Sequence, residues 1–196
     1  MDFREVLKRR RMVRNYDPAP IERAVVERIV EAARRAPSAG FTQGQSFLVV
    51  TDREIRARIA ELAGEEDYVA SGFDPWLSGA PVHVVVCVSE AAYHSRYREP
   101  DKVDDSGREI DWPVPYWWVD AGASMMLLLL AAVDEGLGAG FFGFHRLEGI
   151  EELLGLPPDV TPIGVVTLGR PAPDRPSGSL RRGRKPVPEQ IHWERW

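Results

Sequence analysis

The sequence predicts one domain of mixed helix and strand, of α/β type, and three observations carry that reading. First, the chain has 196 residues, 44% hydrophobic and 28% charged. That is the length and balance of an ordinary globular domain, which buries roughly 70% of its unfolded surface. Second, helical periods alternate with three short runs dense in apolar residues. Third, Cys87 is the only cysteine, so neither an intrachain disulfide nor a multi-cysteine zinc site supports the fold, which suits a reducing compartment.

Asp2 to about Arg11 reads as a short helix, with Asp2 and Glu5 at its positive end. After the turn-rich 15–20 segment comes a helix from Ile21 to about Arg35. Its Val25, Val26, Ile29, Val30 and Ala33 recur at spacings of three and four. Pro37 stops it, and Ser38 to Gln45 form a loop of mostly small residues before the buried strand Ser46–Val50. Thr51 and Glu54 have the spacing of a capping box opening a helix to about Ala63. Val82–Val88 is a second strand, which buries Cys87 or His83 according to its facing. Tyr93 to Asp111 is polar, shows neither period and reads as a long surface excursion. It leads into Trp112–Trp118, where four aromatic residues within seven positions mark a core edge or interface more readily than a cofactor box.

The helix from about Tyr116 to Glu135 is apolar nearly all round between Ala121 and Val133, so it belongs at the centre of the core, with Gly136 as its cap. That uncharged run of 13 residues is shorter than a membrane span. Leu147–Leu154 is a further short helix and Ile163–Leu168 a third strand. Residues 170–196 form a Pro-, Gly- and Arg-rich arm with too little apolar content for a unit of its own, so it wraps its own domain or a partner subunit. The opening Met1–Glu5 lacks the apolar stretch of a signal peptide, and a soluble, cytoplasmic chain is expected.

The net charge is −5, yet both ends are basic: Lys8, Arg9, Arg10, Arg11 and Arg14 crowd one, Arg181, Arg182, Arg184 and Lys185 the other. Neighbouring like charges repel by a few tenths of a kcal/mol per pair, roughly, on a helix. Each cluster alone is read most simply as a solvated face. Together they suit a small phosphorylated ligand bridged by both ends, because arginine's planar fork matches phosphate. Nucleic acid is a poorer match, since the rest of the chain is acidic and carries no helix-turn-helix, finger or RNP signature.

Several chemistries are missing. No Gly-Lys-Ser/Thr phosphate loop occurs. Gly136-Leu137-Gly138-Ala139-Gly140 follows a helix rather than a strand and reads as a helix stop and close turn. The histidines His83, His94, His145 and His192 are scattered, so no metal site is expected. There is no Gly-x-Ser-x-Gly elbow. A phosphate-ligand site without an evident protein nucleophile favours a protein whose cofactor carries the chemistry.

Three ordered segments resemble the nitroreductase family of FMN-dependent oxidoreductases. Arg10-Arg11-Met12-Val13-Arg14-Asn15-Tyr16, followed by Pro20-Ile21, is similar to the family's opening. Ala36-Pro37-Ser38-Ala39-Gly40-Phe41-Thr42-Gln43 is similar to its Ala-Pro-Ser loop. Gly169, then Arg182-Gly183-Arg184-Lys185-Pro186, is similar to its terminal motif. Asp120–Ala123 and Ala131–Gly138 also fit its core helix and the following turn.

The resemblance implies an α+β fold: a nitroreductase-like mixed central sheet flanked by helices, in an intertwined homodimer with exchanged C-terminal tails. It implies two FMN sites at the subunit interface. Arg10, Arg11, Arg14, Arg182 and Arg184 match positions holding the FMN phosphate and ribityl chain, with Met12 among them. Pro37, Ser38 and Ala39 match a loop approaching the flavin ring, to which Phe41 and Gln43 belong. Phe141, Phe142 and Gly143 match a segment over its other face. The implied activity passes electrons from NAD(P)H through flavin to a nitroaromatic, quinone or similar acceptor by a ping-pong mechanism, with no catalytic side chain. Met12 stands for the usual Ser, Phe41 for a common Asn, and Gly44-Gln45 for Pro-Trp. These departures leave open a changed flavin preference, a deazaflavin partner or weaker cofactor retention. A specialised flavin enzyme (flavin fragmentation, dehydrogenation or dehalogenation) and a non-catalytic flavin- or nucleotide-binding protein are the alternative readings.

Overall fold

A computed structural model of the chain describes residues 1–143, 147–175 and 177–196. The helix α1 (Phe3–Arg9) starts on Asp2, whose carboxylate accepts from the Arg4 and Glu5 N–H groups at 2.8 and 3.3 Å. Strand β1 (Tyr16–Asp17) and helix α2 (Arg23–Ala33) follow, and α2 buries Val26, Ile29 and Ala33 along one stripe. After β2 (Gln45–Val50) comes α3 (Arg53–Leu62), which is capped by Asp52 and not by the Thr51–Glu54 pair. The Asp52 carboxylate accepts from the Glu54 and Ile55 N–H groups, both at 2.9 Å. A carboxylate caps as well as a hydroxyl and also meets the positive end of the helix dipole.

Two short helices, α4 (Glu65–Ala70) and α5 (Trp76–Gly79), lead to β3 (Val82–Val88). The polar excursion begins with a helix that its sequence does not announce, α6 (Glu90–Tyr97), started by Ser89 Oγ accepting from the Ala92 N–H at 3.3 Å. The long helix α7 (Tyr116–Asp134) precedes β4 (Gly138–Gly143), α8 (Ile150–Leu154) and β5 (Thr161–Pro171). Residues 138–140 are therefore the start of a strand rather than part of a close turn. Gly136, with φ +75°, is the turn that separates α7 from it.

β5 pairs antiparallel with β1, β3 and β4, and β2 pairs antiparallel with β3 at the far edge. Among the described residues the parallel component is one bridge, Met12 to Ala139. All seven residues of β3 are buried because both faces of the sheet are covered. Val85 and Cys87 pack with Ile59, Trp76 and Ile150 of α3, α5 and α8. Val82, Val84 and Val86 pack with Ile29, Leu128, Leu129 and Ala132 of α2 and α7. With 19 residues and a mean hydropathy of 1.5, α7 is long and apolar enough to cross a membrane by length and composition. Here its Ala121, Leu128, Leu129 and Ala132 are core residues.

His83 shares the Val85 side of β3, fully buried, with Nε2 2.8 Å from the Leu77 carbonyl oxygen. Burial lowers its pKa from 6.5 to about 4. An unfolded chain therefore takes up this proton first as pH falls, and stability drops between about pH 6.5 and 4 by roughly 3 kcal/mol from this group. Urea titrations at pH 7.5 and 4.5 should show the loss, and His83→Gln should flatten it. An unchanged pH dependence in the variant would remove His83 as its source.

Candidate functional site

The segment joining α1 to β1 carries the first arginine cluster, and it is held flat against β4. The Val13 N–H donates to the Ala139 carbonyl at 2.9 Å. A Cβ at Gly138 would stand 2.7 Å from Val13 Cγ2, and one at Gly140 would stand 2.6 Å from the Val13 carbonyl oxygen. Contacts that short force a shift, so the approach depends on glycine at both positions. Tyr16, two residues past Arg14, is buried, and its hydroxyl meets Thr167 Oγ1 at 2.7 Å. The backbone of the arginine segment is therefore fixed from below and behind, which leaves its side chains to face outward.

They face the tail. A cleft of about 480 Å³ is lined by Arg10, Arg11, Met12 and Arg14 on one side and by Asp174, Arg175, Ser177, Ser179, Leu180 and Arg184 on the other. The two basic ends of the sequence thus meet within one chain. Arg182 ends the 3-10 turn Gly178–Arg182, which supplies Ser179 and Leu180, but it is not among the residues that line the cleft.

Asp174 is the one carboxylate there. Its oxygens accept from Arg11 Nη1 at 2.6 and 2.7 Å, and one also accepts from the Arg14 N–H at 2.9 Å. Burial alone would raise its pKa; the Arg14 N–H and the Arg11 side chain outweigh burial and hold the carboxyl below its ordinary range. Among the described residues, Arg11 is the only one of the five lining arginines with an ion pair. Arg14 lies over the Trp76 ring at 5.9 Å and Arg175 over Phe73 at 5.0 Å. One carboxylate against five guanidinium groups leaves a strongly cationic concavity, suited to a phosphate or another compact polyanion.

The second sequence-predicted group lies elsewhere. Ser38 Oγ accepts from the Gln43 N–H at 2.9 Å, and Ala39 donates its N–H to Asp120 Oδ2 at 2.8 Å. Asp120, buried on α7, also accepts from the Tyr93 hydroxyl at 2.8 Å. Phe41 and Gln43 take left-handed conformations, φ 56° and 55°, which are costly for side chains of their size. Phe41 is 76% exposed, so the strained loop holds an aromatic ring out to solvent. Pro37, Ser38, Ala39, Phe41 and Gln43 do not line the arginine cleft, nor do Phe141, Phe142 and Gly143. The last three end β4, where Phe142 is buried against Trp76 and Phe141 packs beside the α2–α7 layer.

The remaining reactive groups offer little. Burial pushes the Cys87 thiol up to about 11, which makes it a core residue rather than a nucleophile. His145 lies outside the described residues. Among the described residues no group of His, Cys, Asp and Glu is arranged to hold a metal. Asp174, Arg175 and Asp120 are the site residues that sequence reading passes over. Only the position of Asp120, a lone charge at the head of a long apolar helix, gave any signal.

The nitroreductase family model matches residues 7–170. A protein of Methanothermobacter thermautotrophicus, provisionally named NADH dehydrogenase/NAD(P)H nitroreductase, is 30% identical over 201 residues, covering all of this chain and 88% of its own. The FMN reductase (NAD(P)H) of Bacillus subtilis is 31% identical over 189 residues, covering 94% of this chain and 70% of its own. Among solved structures, nitroreductase A from Vibrio parahaemolyticus is similar with a TM-score of 0.74 at 26% identity, over 98% of this chain and 75% of that one. With the family model spanning more than four-fifths of its length, the chain belongs to the nitroreductase family.

Proposed function

We propose that the protein is an FMN-dependent oxidoreductase that passes electrons from NAD(P)H to a nitroaromatic, quinone or similar organic acceptor, acting as a cytoplasmic homodimer. The observation that carries this reading is the arginine cleft. Its 480 Å³ lies within the size range of small-molecule sites, and four of its five arginines lack an ion pair among the described residues. Arg10, Arg14 and Arg184 would grip the phosphate, while Asp174 orients Arg11. Bound FMN would supply the chemistry, accepting a hydride from NAD(P)H and delivering electrons to the acceptor. The chain's part is to bind, orient and exclude water.

Two observations support the dimer. Pro37–Ala39 and the arginine cleft stand apart within one chain, as expected of a site whose parts come from two subunits. The tail beyond Ser177 is exposed, with Trp193 and Trp196 at 81% and 101%, and α7 exposes Trp118, Val119 and Met126. A groove of about 640 Å³ between α2 and the edge strand β2, floored by Ile21, Val26, Val30 and Val49, offers such a tail a seat.

The test is a fluorescence titration with FMN. The parent should bind about one FMN per chain, and Arg10→Ala or Arg184→Ala should weaken binding by roughly tenfold to a hundredfold, since charge-assisted bonds contribute roughly 1.5–3 kcal/mol. Arg→Lys should rescue only part, because the fork is lost. Parallel initial-rate lines against donor, at several acceptor concentrations, are expected. A chain that does not bind FMN, or alanine variants that bind it like the parent, would sink the assignment.

A further inference from the structure

The arginine cleft has a neighbour. A second cleft, of about 410 Å³, is lined by Asp67, Tyr68, Ser71, Phe73 and Gly178 and shares Arg14, Arg175 and Ser177 with the first. The two are compartments either side of one cationic wall. Tyr68 and Phe73, both half-buried, stand at 5.8 Å with a 58° tilt and form an aromatic corner. The Arg175 guanidinium lies over Phe73 at 5.0 Å. Together they give a platform on which a flat base can stack.

The compartment has a polarity. Among the described residues the Asp67 carboxylate accepts no hydrogen bond and joins no ion pair, and it is the one carboxylate in a lining that also carries Arg14 and Arg175. An acceptor-only group repels phosphate and takes donors, such as ribose hydroxyls or an exocyclic amine. Arg14 and Arg175 do the reverse. A ligand that stacks, donates at one end and carries negative charge at the other is a purine nucleotide with its phosphate toward the shared wall.

We propose that this second compartment holds the adenylate half of a dinucleotide, with Arg14 and Arg175 facing its diphosphate. The choice of adenine rests on the flavin–nicotinamide reading above, because FAD and NAD(P)H both carry that half. The compartment itself is argued from its own residues.

Isothermal titration with AMP tests it directly. The parent should bind AMP, and Phe73→Ala should weaken that binding by about tenfold or more and FMN binding by a smaller factor, since Arg175 keeps its charge but loses the ring beneath it. Phe73 is half-buried, so Asp67→Ala, an exposed change that leaves the fold alone, is the second variant; it should weaken AMP by about tenfold or more, in line with a lost charge-assisted bond. Two comparisons then identify the dinucleotide. If FAD binds more tightly than FMN in the parent and the advantage vanishes in Phe73→Ala, the adenylate belongs to the flavin. If FAD and FMN bind alike but the KM advantage of NADH over reduced nicotinamide mononucleotide vanishes, it belongs to the donor. Absence of AMP binding, or both variants binding AMP like the parent, would overturn the proposal. AMP binding without FMN binding would overturn the flavin reading and leave this one standing.

Discussion

Deleting residues 173–196 should raise the FMN dissociation constant at least a hundredfold and leave the sheet folded. The cut falls after Ala172, whose N–H donates to the Asn15 carbonyl, so the β1–β5 pairing is kept. It removes Arg175 and Arg184 from the cleft, together with Asp174. Two charge-assisted contacts are worth roughly 3–6 kcal/mol, or about a hundredfold to ten-thousandfold. Freeing Arg11 from Asp174 returns part of that, so the lower figure is the expected one. The same deletion removes Trp193 and Trp196. Their burial in a partner would contribute several kcal/mol, at roughly 25 cal/mol per Å² over about 200 Å² each, less the cost of ordering the tail. Sedimentation should therefore show monomer. Trp193→Ser with Trp196→Ser separates the two effects, because it removes both tryptophan rings and keeps every lining arginine. A truncated chain that stays dimeric and binds FMN within tenfold of the parent would refute both assignments.

Asp120→Ala should be the most damaging single change near the strained loop. The carboxylate accepts from Ala39 and Tyr93, both at 2.8 Å, in a position 6% exposed. Burial and the neighbouring Asp120 charge push the Tyr93 phenol above its ordinary range, so it stays protonated and donates. Two bonds to a charged acceptor are worth about 3 kcal/mol at the low end, and their donors would be left without a partner. For a chain of this size that lowers Tm by roughly 6–12 °C. Asp120→Asn keeps one acceptor oxygen and should cost about half. The loop should also relax, since Phe41 and Gln43 hold their left-handed backbone only while Ala39 is anchored. Thermal unfolding followed by circular dichroism checks this; a variant melting within about 2 °C of the parent would remove Asp120 as the anchor.

What the sequence made legible follows from where one kind of signal dominates. β3 was readable to the residue because seven consecutive buried positions leave no other interpretation, and α7 because its apolar run is bounded by Asp120 and Asp134. β4 was not readable: glycine and alanine at 138–140 carry no strand propensity, and the strand exists because β5 pairs with it and Val13 must lie close. α6 is too short for its period to rise above a polar background. Asp52 displaced Thr51 as a cap because adjacent candidates differ by only tenths of a kcal/mol. The arginines announced themselves as repulsion in search of an anion. Asp174 and Arg175 did not, since one acidic and one basic residue in a Pro-rich arm have no spacing to interpret until the arm is seen beside α1.

The two glycines beneath Val13 bear on how this protein could be re-engineered. A library that randomises Arg10, Arg14 and Arg184 samples different ligands on an unchanged platform. One that includes positions 138 or 140 samples different platforms, because any side chain there lifts the arginine segment off β4 and moves every guanidinium at once. The vocabulary of the cleft is written in its arginines; its grammar lies in two hydrogen atoms where side chains would otherwise begin.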